Sequence, residues 1–303
     1  MLGKLLKYEI MATGRIFLPL YLGLLVVAII SSFTFRSDID IIIVIFSVLL
    51  FALYTTLVIV TIILLIQRFY QNLLKDEGYL MFTLPVTPAT LIASKLITAC
   101  MWCVLSMIVG LIAGLIAIKG FVDIKTMSEA FSEIMVELNA VLPGFSIPAL
   151  VIILFIASIV SQLIANILHV YVSLAVGQLP PFGRYKILFA VITYLVIATV
   201  ISAAVTVVAG IWGLYHASRV ESLLSINEIA DGGNFDSIEI IHSPGDLTQI
   251  IMADGSTQIS IFLSDIWTIT NQFLIGATIF NLVFSAAAFI GTSLILQKKL
   301  NLE

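Results

Sequence analysis

The chain has 303 residues, 61% of them hydrophobic and 11% charged, with a formal net charge of −4 and a mean hydropathy of +1.18. Soluble domains carry about 25% charged residues, so a water-soluble fold is excluded and an all-α membrane protein is indicated. The Lys and Arg residues are scattered between apolar blocks without a run or patch, which excludes nucleic acid as a partner.

At the N-terminus Leu2, Leu5, Leu6 and Ile10 recur at helical spacing opposite Lys4 and Lys7. That pattern predicts a short amphipathic elbow helix in the headgroup layer. Crossing hydrocarbon takes roughly 20 apolar residues in a helix, because backbone groups in lipid must be hydrogen-bonded internally. Six stretches meet this requirement: 16–35, 41–67, 96–118, 148–177, 187–212 and 268–296. None contains Asp, Glu, Lys or Arg. The first is long, has no clear small-x-small cleavage site and is followed at once by a second apolar block, so it is read as a retained span and not as a signal peptide.

The segment 68–95, between the second and third spans, is too apolar for an idle linker. Leu73, Leu74, Tyr79, Leu80, Met81, Phe82 and Leu84 sit among Lys75, Asp76 and Glu77, and Pro85 and Pro88 break the helix before Thr90. Two short helices about a turn at Gly78 would present aromatic side chains to a protein partner or to the headgroup layer. Physics alone leaves both readings open.

In the third span Ser106, Gly110 and Gly114 form a ridge of small residues that lets helices approach closely. Cys100 and Cys103 lie in the same apolar block, so they form no secreted disulfide framework, and a CxxC without nearby His or further Cys is a weak metal signal. After this span Thr126 and Glu129 make a capping-box pattern, and Met127, Phe131, Ile134, Met135 and Leu138 line one face of the helix that follows. That helix is expected on the outer surface. Ser158, Gln162, Asn166, His169 and Ser173 form a polar stripe on one face of the fourth span, expected to face protein. It is either a wall of a translocation path, a seam between two subunits, or ordinary interhelical hydrogen bonding, typically about 0.6 kcal/mol per contact. Asn281 and Ser285 suggest a shorter stripe in the sixth span. The polar segment 213–267 before that span carries turn signals at Gly232-Gly233, Pro244-Gly245 and Asp254-Gly255 and suggests a small hairpin from 249–253 and 256–261.

Cations near spans tend to stay in the cytoplasm. Placing the N-terminus inside puts Lys4, Lys7, Arg15, Arg68, Lys75, Lys95, Arg184, Lys186, Lys298 and Lys299 in the cytoplasm, against Arg36, Lys119, Lys125 and Arg219 outside. Both termini and the loop 68–95 are therefore expected inside and the insertion 213–267 outside, in a multi-pass protein of the cell membrane. The outer face is then acidic.

No catalytic, cofactor or metal site emerges. There is no GxxxxGK[ST] phosphate loop and no HExxH, no apolar stretch holds Asp, and His169, His216 and His242 lie far apart. The apolar stretches hold no carboxylate and no basic side chain except His169, which argues against ion-coupled secondary transport.

The run DEGYLMFTLPVTPATLIASKL from Asp76 to Leu96, preceded by RFYQNL from Arg68, resembles permeases of the ABC-2 type exporter superfamily of Gram-positive bacteria, and the ending QKKLNLE at Gln297 to Glu303 is similar to their tails. The resemblance covers the chain in layout, as one transmembrane domain over 1–303: elbow helix, six spans, a cytoplasmic loop after the second and an outer segment before the sixth. It implies that the loop carries a coupling helix docking on a separate ATPase subunit, with Glu77, Gly78, Tyr79, Phe82 and Pro85 at that interface. It further implies two permeases per complex, identical or paired with a relative, and ATP and Mg bound by the partner ATPase and not by this chain, which is not by itself an enzyme. Where many members have short re-entrant helices before the last span, this chain has the polar insertion 213–267.

The expected function is therefore the membrane subunit of an ATP-driven exporter. Amphipathic peptides, lipids and hydrophobic drugs all suit an apolar pathway under an acidic outer segment, with a cationic antimicrobial peptide preferred. A non-transporting membrane immunity or binding protein is the alternative, and a secondary transporter a weaker one.

Overall fold

The structure, a computed structural model, describes residues 2–36, 39–74, 87–121, 124–141, 147–179, 185–230 and 255–298. Among them are α1 (Leu2–Thr34), α2 (Asp40–Phe69), a π-helical turn at Tyr70–Leu74, α3 (Pro88–Phe121), α4 (Ile124–Val141), α5 (Ala149–Gly177), α6 (Lys186–Ala230) and α7 (Gly255–Lys298), and no strand. Six helices are long and apolar enough to cross a membrane, over Leu5–Thr34, Asp40–Phe69, Pro88–Gly120, Ala149–Gly177, Lys186–Ala217 and Trp267–Gln297. Among the described residues the structure is all-helical, and its six long apolar helices make the chain a multi-pass membrane protein. Each span matches one of the six apolar stretches.

The differences lie at the helix ends, and they share a cause. Hydropathy marks where lipid meets the helix, whereas a helix continues until a cap, Pro or Gly stops it. The expected elbow and the first span form one unbroken helix, α1, which tolerates Pro19 within it. The longer spans take in Lys7, Glu9, Arg15, Asp40, Arg68, Lys95, Lys119 and Lys186, so freedom from charge holds only for their apolar centres. No Gly or Pro interrupts 214–230, and α6 accordingly continues to Ala230, well into the segment read as a loop. At its far side α7 begins at Gly255, so 256–261 is helical and not the second strand of a hairpin; the other expected strand, 249–253, lies outside the described residues. Helix α4 starts at Ile124, which places Thr126 inside the helix and not at its cap.

Two compact units are distinguished: Met1–Glu129, Val160–Ile197 and Phe280–Glu303 form the first, and Ala130–Ile159 with Ala198–Ile279 the second. In the first, α1, α2 and α3 close around Phe17, Tyr21, Leu24, Leu57 and Trp102. Leu50, Leu57 and Leu64 recur every seven residues on α2, a spacing that keeps one stripe turned toward its neighbours. The ridge on α3 is filled by two tyrosines. Tyr21 shares a 2.7 Å hydrogen bond with Ser106, and the Tyr54 hydroxyl donates to the Gly110 carbonyl at 2.7 Å. A Cβ at Gly114 would stand 3.2 Å from that same hydroxyl. At the far end of α3, a Cβ at Gly120 would fall 2.7 Å from the Ser32 backbone, which cannot swing aside as a side chain can. The small residues thus serve helix packing, where van der Waals contact replaces the hydrophobic drive.

In the second unit Trp212 packs against Phe273 at 5.5 Å and His216 at 4.6 Å. His216, read from the sequence as outside the membrane, falls at the end of the fifth span. On α2, Ile41, Val44, Ile45, Val48 and Phe51 are exposed. Such a face suits hydrocarbon as its solvent.

Candidate functional site

The five expected contact residues of the loop after α2, Glu77, Gly78, Tyr79, Phe82 and Pro85, lie outside the described residues. Both roots of that loop are described. At the first, α2 passes into the π-helical turn Tyr70–Leu74, a widened winding that recurs at functional positions. At the second, Thr87 precedes α3 with its backbone carbonyl accepting from the Thr90 N–H at 2.9 Å and its hydroxyl bonded to that of Thr90 at 2.7 Å. Pro88 opens the helix at the position where its missing N–H costs nothing.

The two roots meet in one buried cluster. Phe69, Leu73 and Leu74 from the first join Leu91 and Ile92 from the second, together with Ile167, Leu168 and Tyr171 of α5 and Ala288 and Leu296 of α7. Phe69 stacks on Tyr171 with ring centroids 4.0 Å apart. Leu5 of α1 packs against the same cluster. The start of α1, the end of α2, the start of α3 and the ends of α5 and α7 therefore share one end of the first unit. The base on which the loop stands is close-packed, and close-packed interiors transmit strain.

Beside this base lies an ion pair that the sequence did not disclose. Lys95 Nζ donates to Glu9 Oε1, joining α3 to α1, with 3% and 11% of the two side chains exposed. The pair borders a cavity of about 30 Å³ that is also lined by Arg68, Thr13, Thr61 and Thr98. That volume suits one or two waters. The three hydroxyls donate to their own helices, Thr13 to the Glu9 carbonyl at 2.7 Å, Thr61 to Leu57 at 2.7 Å and Thr98 to Ser94 at 2.9 Å. Glu9 and Lys95 are the fifth and eighth residues of the spans Leu5–Thr34 and Pro88–Gly120, well short of the middle of each. A relay across the membrane does not follow from them.

The polar stripe of the fourth span divides. His169 and Ser173 are buried, and Ser173 Oγ donates to the His169 carbonyl at 2.8 Å. The His169 ring stacks on Tyr194 at 4.3 Å and meets Phe284 edge-on at 6.0 Å. Gln162 and Asn166 are exposed within this chain. The reason is axial: all five lie on one face of α5, but His169 and Ser173 fall further along it, beside Ile167, Leu168 and Tyr171 of the buried cluster, and Gln162 and Asn166 lie before it. Ser158, half-buried, belongs to the second unit. The shorter stripe of the sixth span joins this one, since Asn281 Nδ2 donates to Gln162 Oε1 at 3.0 Å and Gln162 Nε2 donates to Asn166 Oδ1 at 3.1 Å. Among the described residues His169 Nε2 and Ser285 Oγ are buried without a hydrogen-bond partner.

Comparison of the chain with known protein families, with curated proteins and with solved structures finds no match.

Proposed function

We propose that this chain is the membrane-spanning permease subunit of an ATP-driven exporter of the ABC-2 type, working with a separate ATPase and a second permease. The observation that carries the reading is the run from Arg68 to Leu96, aromatic and flanked by charge, whose two roots end in one buried cluster with α5 and α7. A loop of that composition suits a protein partner, and its fixed base suits transmission of the partner's motion. ATP and Mg belong to the ATPase, and this subunit supplies the path for an amphipathic or hydrophobic substrate, a cationic antimicrobial peptide in first place. Purification of the tagged chain from its native membranes should bring down an ATPase whose hydrolysis rises on reconstitution with this subunit. Recovery of the intact chain alone, in membranes where the ATPase is present, contradicts the reading.

The orientation belongs to the same proposal: termini and the loop 68–95 in the cytoplasm, the segment 213–267 outside. The gathering of the N-terminal end of α1, the ends of α2, α5 and α7 and the start of α3 supports it. In a chain with Cys100 and Cys103 replaced, a cysteine at Asp236 should react with an impermeant maleimide added to intact cells. Reaction at that position only after the cells are opened would reverse the orientation.

A further inference from the structure

We propose that the cavity walled by α1, α2, α3 and α5 holds the phosphate of a phospholipid from the leaflet that borders this end of the first unit. Every residue on its lining belongs to that unit, and the proposal does not depend on the exporter reading. Two cations, Arg68 and Lys95, line the cavity with one carboxylate, Glu9. Lys95 donates to Glu9, so the charge in excess is the single one of the Arg68 guanidinium. A phosphodiester carries one negative charge and matches it, whereas a dianion would bring surplus charge beside the Glu9 carboxylate. The guanidinium also presents its donors as a fork that fits two phosphate oxygens. Trp102 lines the same cavity, and its Nε1–H is buried without a hydrogen-bond partner among the described residues. Buried donors of this kind as a rule find an acceptor. A cavity of about 30 Å³, with room for one or two waters, has room for one or two phosphate oxygens.

The depth of the cavity and the surface beside it select a lipid as the source of the phosphate. Arg15 of α1 is exposed, and so is Arg36 just beyond the end of that helix. From Arg15 to Thr34 a helix rises about 28 Å at roughly 1.5 Å per residue, close to the thickness of a hydrocarbon core. Exposed cations are tolerated where hydrocarbon ends and not at its centre, so the two arginines bracket the core. Glu9, less than two turns outward of Arg15, then stands in the headgroup layer. Lys95 is bonded to Glu9, and Arg68 is the last residue but one of the span Asp40–Phe69, so the charges of the cavity share that depth. The half-buried residues of the lining are Thr61, Leu65 and Arg68 of α2 with Ala99 and Cys103 of α3, which puts the more open side between those two helices. Next to that side Val58, Ile62 and Ile66 are exposed at intervals of four residues and form one apolar ridge leading toward the middle of the span. A phosphate in the cavity with its acyl chains laid along this ridge satisfies anion and chains together, whereas a free phosphate leaves the ridge unused.

The test uses the full chain purified in neutral detergent, with dioleoylphosphatidylglycerol as the probe and native mass spectrometry counting the lipids bound. One lipid per chain should be held more tightly than the rest. Arg68→Gln should raise its Kd about tenfold or more, the scale of a lost charge-assisted hydrogen bond. Arg15→Gln, which removes a cation outside the cavity, should change it less than about twofold. Equal weakening by the two variants means a generally basic surface and overturns the site. Trp102→Phe keeps an aromatic ring against Phe17, on which Trp102 stacks at 4.5 Å, and removes only the N–H. It should raise Kd about threefold or more, and it carries the test if Arg68→Gln fails to accumulate. The absence of a tightly held lipid, or an unchanged Kd in the variants that fold, overturns the proposal. Dioleoylglycerol, with the same chains and no phosphate, should not displace the phospholipid, and displacement at equal concentration overturns recognition of the phosphate. Displacement by millimolar inorganic phosphate assigns the cavity to a free anion and overturns the lipid.

Discussion

Glu9→Leu is expected to lower the stability of the protein in lipid by roughly 3–5 kcal/mol, the scale of a buried ion pair deprived of one partner. Glu9 is the anion bordering a cavity that also meets Lys95 and Arg68. Removing it takes from the buried Lys95 ammonium the carboxylate to which it donates, and leaves that cavity lined by two cations and no anion. Lys95→Met is expected to cost less. In that variant Glu9 still has Arg68 on the same cavity as a counter-charge. The double variant Glu9→Leu with Lys95→Met should recover most of the loss, because replacing both members of a buried pair by apolar groups is commonly neutral or better. The readout is the unfolding free energy in bicelles or nanodiscs for the four proteins of the cycle. Additive losses in the double variant, or a larger loss for Lys95→Met than for Glu9→Leu, contradict the account. This outcome is independent of the exporter reading, since it rests on packing alone.

The second large effect concerns the loop after α2. Tyr79→Ala together with Phe82→Ala is expected to remove roughly 2–4 kcal/mol of ATPase binding, about 30-fold or more in affinity, because bulky side chains at the centre of an interface carry most of its energy. Transport should fail while the permease inserts and accumulates normally. The roots of the loop explain why folding should persist: Phe69, Leu73, Leu91 and Ile92 bury the base without help from these two residues. A loop that merely rests on headgroups predicts the opposite pattern, with the ATPase retained and at most a small fall in thermal stability. Measuring ATPase co-purification and permease abundance in the same membranes separates the two. Undiminished ATPase recovery with the double variant removes the coupling role from Tyr79 and Phe82.

Much of the fold was legible in the sequence because a bilayer imposes one demand on every spanning segment. Backbone groups must be satisfied within the helix and side chains must tolerate hydrocarbon, so 20-residue apolar blocks announce spans without reference to their neighbours. The six spans, the small-residue ridge on α3 and the membership of Gln162, Asn166, His169 and Ser173 in one helix follow from such local reading. Helix ends did not, since the extension of α6 to Ala230 and of α1 back to Leu2 depends on the absence of a stop signal and not on hydropathy. What lies across from a residue is a different quantity. Glu9 and Lys95 are separated by 86 positions, and nothing in periodicity or charge pattern links them. Only the packing of α1 on α3 brings the carboxylate to the ammonium. In the same way the sequence placed five polar residues on α5 and two on α7, while the tertiary structure decided which were covered: it buried His169 and Ser173, joined Asn281 to Gln162, and left Gln162 and Asn166 on the surface. Apolar matching between helices is nearly degenerate in lipid, because lipid tails and leucine side chains are equivalent solvents. The few polar and charged contacts and the close backbone approaches at Gly120 and Gly177 are what single out one arrangement, and those are set by three-dimensional fit.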